Sequence, residues 1–255
     1  MKVHQIPTRQ RLRKGLLLLS FMLFPLTIFL FSPVVSIFGA QNGILSASLI
    51  TFGLLFLFSL FLGRAWCGWA CPGGGMALIG EQINPKPVRR RRLDWIKWAV
   101  WIPWVSLIVF LIIQGGGFSR VDPYYMTADG VFLAAMPDRP LAGSYFVYYL
   151  VIVLFTGLAG LVGKRAGCHT VCWMAPFMII GRWIRNRFHW PALRLQARSA
   201  DCTGCGLCDQ SCPMSLEVSQ MVQVNRMEDQ ECILCGSCVD GCSRDVIRYA
   251  FSAGK

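Results

Sequence analysis

The chain has 255 residues, of which 55% are hydrophobic and 15% charged, and its mean hydropathy is +0.50. Soluble domains are about 45–50% apolar and about 25% charged, so the excess points to a membrane protein and excludes disorder, a collagen-like repeat and a DNA-binding domain. The net charge is +12, and the 12 cysteines must be sorted by spacing into disulfides, metal ligands or redox groups.

Residues 1–14 carry five Lys/Arg and no acid. Four apolar runs follow, at residues 15–38 (with Pro25 and Pro33 inside), 44–62, 95–113 and 144–162. Each approaches the ~20 residues that cross a bilayer. The first run exceeds a signal-peptide core and no small-residue cleavage site follows it, so a retained helix is expected. The stretches 64–97 and 164–198 carry seven Lys/Arg each. They alternate with the basic-poor loop 114–143 and the neutral loop 39–43. Positive charge stays on the cytoplasmic side. Both termini and everything after residue 163 are therefore expected in the cytoplasm, with the chain in the inner membrane of a prokaryote. Residues 89–92, all Arg, read as a positive anchor. Residues 199–255 hold four basic and eight acidic residues, a charge of −4, which leaves +16 for the rest. The basic excess thus reports membrane orientation and contact with lipid headgroups, and no nucleic-acid partner is expected.

The tail carries the strongest chemistry. Cys202, Cys205, Cys208 and Cys212 read C-x2-C-x2-C-x3-C-P, and Cys232, Cys235, Cys238 and Cys242 repeat the spacing with Ser243 in place of the proline. This is the bacterial ferredoxin run, in which the fourth cysteine of each run serves the other cluster. One 4Fe–4S cluster is expected on Cys202, Cys205, Cys208 and Cys242, and a second on Cys232, Cys235, Cys238 and Cys212. Gly204, Gly206, Gly236 and Gly241 are expected to turn the backbone tightly around the sulfurs. Zinc sites pair C-x2-C motifs across a longer gap, and disulfides are disfavoured in the cytoplasm. Two adjacent clusters make a one-electron wire rather than a catalyst.

The remaining four cysteines lie in an internal repeat. Residues 63–72 contain Cys67 and Cys71, and residues 163–172 contain Cys168 and Cys172. Each pair follows an apolar hairpin and a small-basic exit, so the repeat is parallel, with a pseudo-twofold along the membrane normal. C-x3-C on a helix puts both sulfurs on one face. The pairs are candidates for a third metal or cluster site, with buried thiols or a redox-active pair as the alternatives. After the second pair, Trp183 and Phe188 alternate with Arg182, Arg185 and Arg187, which predicts an interfacial amphipathic linker helix.

With both features in hand the chain resembles the NapH-type membrane quinol dehydrogenases, on Cys67–Pro72, Cys168–Cys172 and the two runs from Cys202 to Cys242. NosR-type and CcoG-type proteins share this core. The proline after the second C-x3-C is displaced to Pro176. The resemblance implies quinol oxidation and delivery of electrons to partner redox subunits. His169, the one histidine in the membrane part, is the candidate proton acceptor. Trp66, Trp69 and Trp173 are candidates for the quinone environment, against the plainer reading of an aromatic belt.

The expectation is an α-helical integral membrane protein, with four transmembrane helices in two parallel-repeated hairpins and a C-terminal α+β two-cluster ferredoxin-like domain. It divides into a basic N-terminus (1–14), a transmembrane domain (15–176), a linker (177–198) and the ferredoxin-like domain (199–255). Two other functions stay open. One is an assembly, regulatory or metal-reducing factor for a respiratory enzyme. The other is electron flow from ferredoxin to quinone.

Overall fold

A computed structural model describes residues 7–88, 93–127 and 142–254. Residues 89–92 and Asp129 of the outer loop lie outside the described residues.

The first apolar run does not form one straight helix. It contains α1 (Thr8–Met22), α2 (Phe24–Thr27), a 3-10 turn (Ile28–Phe31) and α3 (Pro33–Gln41), and α1 meets the segment after it at 60°. The prolines are the cause. Pro25 and Pro33 lack an N–H to continue a helix, and each sits in the first turn of a new one. Ser32 Oγ caps α3 by accepting from the Val35 amide.

The second run gives its first residues to β1 (Ile44–Ser46) and the rest to α4 (Ala47–Leu62). Short helices α5 (Ala65–Trp69) and α6 (Pro72–Ile83) follow. The third run is α7 (Ile96–Gln114), the one described helix that is by itself long and apolar enough to cross a membrane. It leads to β2 (Arg120–Asp122), which pairs in parallel with β1. The start of α4 and the end of α7 therefore meet at one end of the bundle, opposite the cysteine pairs. The fourth run is α8 (Ala142–Val162), followed by α9 (Ala166–Thr170) and α10 (Ala175–Arg187).

Each repeat's last helix packs on the other repeat. The first repeat's α6 packs on its own α1 and on the second's α8, and the second's α10 packs on the first's α4. Each crossing is closed by a glycine. A Cβ at Gly80 would stand 2.5 Å from the Ala159 Cβ, and one at Gly181 would collide with Ser59. This reciprocal packing draws the two C-x3-C segments together.

The C-terminal part is built on β3 (Ala192–Ala197), which pairs antiparallel with β4 (Ile247–Ser252). Helices α11 (Leu207–Ser211), α12 (Val218–Gln223) and α13 (Ser237–Asp240) lie between them. β3 falls inside the stretch 177–198 expected as linker, so the ferredoxin-like fold begins before residue 199. Its core is continuous with that of the helical part through Met174, Met178, Leu195, Met214 and Ile233.

Ionic contacts also cross between the two parts. Arg9 binds Asp240 at 2.5 and 3.1 Å, and Gln10 donates to the Cys235 carbonyl at 3.1 Å. Arg64 and Lys97 both bind Glu231, at 2.8 and 2.6 Å, with all three side chains at most 1% exposed. Arg182, Arg185 and Arg194 surround Glu228. The linker-helix expectation is corrected here: Trp183 and Phe188 are exposed, but Arg182 and Arg185 are buried under the ferredoxin-like part. Basic residues read as orientation signals alone are thus also interface ligands.

Candidate metal centres

The two cysteine runs fold into two cavities. Cys202, Cys205, Cys208 and Cys242 line the outer one, with about 440 Å³ of empty space. Cys212, Cys232, Cys235 and Cys238 line the inner one, with about 400 Å³. Each cavity thus takes three cysteines from one run and the fourth from the other. α11 and α13 follow the second cysteine of each run after Gly206 (φ 71°) and Gly236 (φ 75°), both left-handed. Gly204 is left-handed too, at φ 70°. Gly241 is not: its φ of −84° is ordinary helical backbone, so its expected turning role is dropped. The residue matching Gly204 in the second run is Leu234, at φ 49°. Its carbonyl accepts from the Trp69 indole at 3.1 Å and from the Tyr249 hydroxyl at 2.7 Å, which holds a conformation leucine rarely adopts.

The four C-x3-C cysteines line a third cavity, with Arg64, Arg165, Gly73 and Gly74 in its wall. α6 and α10 begin just after Cys71 and Cys172. Cys71 is the N-cap of α6, and its carbonyl accepts from the Gly74 amide at 2.9 Å. The Gly74 amide beside Cys71 and the Ala175 amide beside Cys172 work to lower the two thiols against burial, which raises them. Burial pushes the Cys172 thiol up to about 12, as it does that of Cys212 in the inner cavity. Burial, then Asp209, raises Cys208 in the outer cavity to about 11. Without a cation these groups are neutral thiols; iron, if bound there, would hold them as thiolates.

Among the described residues no three cysteine sulfurs lie within 4.8 Å of one another. One tetrahedral zinc, at about 2.3 Å from each sulfur, needs sulfurs about 4 Å apart. The quartets are too open for a single ion and suit a cluster, whose iron corners hold the thiolates further apart. All 12 cysteines are free rather than disulfide-bonded.

His169 is enclosed instead of facing an open quinone site. It is 5% exposed, and its Nδ1 is 3.1 Å from Asp94 Oδ1 and 3.9 Å from Glu231 Oε2, while Nε2 has no partner. Asp94 and Glu231, from two other segments, close over the ring. Burial works to raise the Glu231 carboxyl, but Arg64 and Lys97 outweigh it and hold it at about 2. Glu231 is thus already neutralised by two cations, and the Asp94–His169–Glu231 trio is a charge cluster at the interface. Of the three tryptophans, Trp69 is bound to Leu234 and Trp173 donates to the Phe31 carbonyl at 2.9 Å. Trp66 packs between Phe31 and Phe58 with its indole N–H buried and unpartnered.

Residues 201–247 match the family described as a 4Fe-4S dicluster domain, and residues 46–86 that described as a 4Fe-4S binding domain. An uncharacterized protein of Methanocaldococcus jannaschii is 25% identical over 204 residues, which cover 79% of this chain and 78% of that protein. The putative electron transport protein YccM of Escherichia coli is 24% identical over 213 residues, covering 80% of this chain and 56% of its own length. The nitrogen fixation protein FixG of Rhizobium meliloti is 26% identical over 217 residues, covering 74% and 38%. No solved structure matches. The two domains and these relatives support an iron–sulfur electron-transfer protein with redox partners. They do not single out the NapH type among such families.

Proposed function

We propose that the chain is a membrane electron-transfer subunit that oxidises quinol and passes electrons, through 4Fe–4S clusters, to a partner redox protein. The observation that carries the reading is the crossed cysteine pattern of the outer and inner cavities. Cys202, Cys205, Cys208 and Cys242 hold one cluster there, and Cys212, Cys232, Cys235 and Cys238 the other. When bound, the clusters supply reversible one-electron transfer.

The membrane reading is supported by apolar faces that none of the described residues covers. Leu54, Leu57 and Phe61 on α4, Val109, Phe110 and Ile113 on α7, and Tyr149, Leu150 and Val153 on α8 are all exposed. So large an apolar surface needs a partner, and lipid is the one such length and composition suit. The four crossings are then α1 with the bent segment after it, α4, α7 and α8, with both termini in the cytoplasm. Trp66 is the residue we assign to the quinone, since its donor is the one left unspent among the three tryptophans.

Anaerobic purification, iron counting and EPR under quinol titration test the reading. Quinol-dependent reduction of cubane signals is expected, and Trp66→Phe should weaken the response to quinol but not to dithionite. Cubane signals that dithionite reduces and quinol never does would end the quinol assignment. Cys212→Ser should disturb the cluster of the second run, not that of its own run. Reporter fusions placing residue 254 outside the cell would overturn the topology.

A further inference from the structure

We propose that Cys67, Cys71, Cys168 and Cys172 together hold a third 4Fe–4S cluster, with Arg64 and Arg165 as its charge partners. The proposal rests on reading the chain as an iron–sulfur electron carrier, and it adds a centre to that reading. The match over residues 46–86 includes only Cys67 and Cys71, two thiolates where a cubane takes four. Cys168 and Cys172 lie outside both matched stretches. The packing of α6 and α10 across the repeats brings these two to the same cavity.

Three observations point to an anionic occupant. α6 starts with Cys71 as its N-cap and α10 starts three residues after Cys172, and a helix N-terminus favours negative charge. Arg64 and Arg165 are 1% and 2% exposed and stand in the cavity wall. Both also pair elsewhere, Arg64 Nη1 with the Gln230 carbonyl at 2.9 Å and Glu231 at 2.8 Å, and Arg165 Nε with Glu81 at 2.9 Å. Yet Arg64 Nε and Arg165 Nη2 are buried with no acceptor. Buried N–H donors of charged groups are costly when unmet, and cluster sulfur is an acceptor of the right sign. Four thiols packed as small hydrophobes leave both guanidinium donors without a purpose. No three of these sulfurs lie within 4.8 Å of one another, as a tetrahedral zinc would need.

Placement makes this quartet the next link in the wire. Met214 and Ile233 line both its cavity and the inner ferredoxin cavity. Gly68, between Cys67 and Cys71, approaches the Ile233 carbonyl so closely that a Cβ there would collide with it. The Trp69 indole holds the neighbouring Leu234 carbonyl. The order is therefore the C-x3-C quartet, then Cys212/Cys232/Cys235/Cys238, then Cys202/Cys205/Cys208/Cys242, where Cys205 is exposed to a partner. Each transfer moves one electron, oxidising one centre as the next is reduced, with no proton or leaving group.

The test is iron and sulfide analysis with Mössbauer spectroscopy on the full chain, purified without oxygen. The wild type should carry about twelve irons in three cubanes, and a Cys67→Ser/Cys168→Ser variant about eight, with both ferredoxin-type signals kept. About eight irons in both proteins would overturn the third cluster. About four irons in the wild type, all lost in the variant, would overturn the two ferredoxin clusters and leave this one standing. If the double variant does not accumulate, Arg165→Gln decides by redox titration. One of three couples should move to lower potential, and a titration in which none moves overturns the proposal.

Discussion

Cys205 in the outer ferredoxin cavity is exposed, and its counterpart Cys235 in the inner cavity is buried. The first run turns on Gly204, the second on Leu234. The outer cavity has the exposed Asp201 and Arg244 in its wall, and Asp209 beside Cys208. The inner one is walled by methionines and aliphatic side chains, with Arg182 donating to the Cys232 carbonyl at 3.3 Å. One cysteine spacing has thus been placed in two environments. The difference comes from docking: α1, the α5 segment and α10 all press on the second run, and none reaches the first in the same way. An enclosed centre with arginine nearby suits an internal link, and an open one suits exchange with a partner.

The largest test of that contrast is to loosen the docking. Glu231→Ala leaves Arg64 and Lys97 buried without their carboxylate. Breaking a buried pair in this way costs about 3–5 kcal/mol. A lowered thermal midpoint is expected, together with proteolytic release of the ferredoxin-like part and loss of the inner iron signal before the outer. An unchanged midpoint would show that the interface is held by apolar packing alone.

Glu228 gives a pH-dependent version. Burial works to raise its carboxyl, but Arg182, then Arg185 and Arg194, more than offset this and hold it below its usual 4.5. A depressed carboxylate contributes stability that is complete above the unfolded-state value and lost as pH falls through the folded one. Glu228→Gln should therefore cost about 1.5–3 kcal/mol near neutral pH. The gap to wild type should narrow once pH drops below about 4.5. A gap that stays constant down to acid would mean the three arginines do not sense the charge.

The contrast should also appear in potentials. Removing a unit charge beside a partly buried centre shifts a one-electron couple by on the order of 100 mV. Arg182→Gln should lower the inner couple and leave the outer, while Asp209→Asn should raise the outer couple and leave the inner. If each variant shifts both couples equally, the two environments are not electrically distinct.

The sequence foretold some of this arrangement and not the rest, for physical reasons. Cysteine spacing is local, and the ferredoxin pattern pairs the same four tail cysteines that line each cavity. Apolar runs are local too, and α4, α7 and α8 fall where hydropathy put them. Packing of α6 and α10 across the repeats depends on Gly80 and Gly181 fitting against a different hairpin, and nothing near either glycine in the chain specifies that. Arg182 and Arg185 looked like headgroup contacts because their partner Glu228 is more than 40 residues away. β3 does not stand out from a linker in the sequence because Ala-Leu-Arg-Leu-Gln-Ala alternates for only six residues and needs β4, 50 residues on, to be a strand. His169 looked accessible because its covers, Asp94 and Glu231, come from distant segments.

Leu234 is the smallest feature of the contrast and separates the two runs most cleanly. A leucine at φ 49° is strained where Gly204 is not. The carbonyl of Leu234 is fixed by two donors, one from the ferredoxin-like part (Tyr249) and one from the C-x3-C segment (Trp69). Trp69→Phe removes one donor and keeps an aromatic side chain, so loss of the hydrogen bond should cost about 1 kcal/mol. Leu234→Gly in that background should recover little, since it relieves the strain but empties a side-chain position that is 3% exposed. In the outer run the matching change, Gly204→Leu, introduces the strain without either donor and should destabilise the outer cavity more than Trp69→Phe destabilises the inner. Equal costs in the two runs would mean the Trp69 contact is incidental. Unequal costs in that order would show that the second run tolerates leucine because the helical part holds its loop in place.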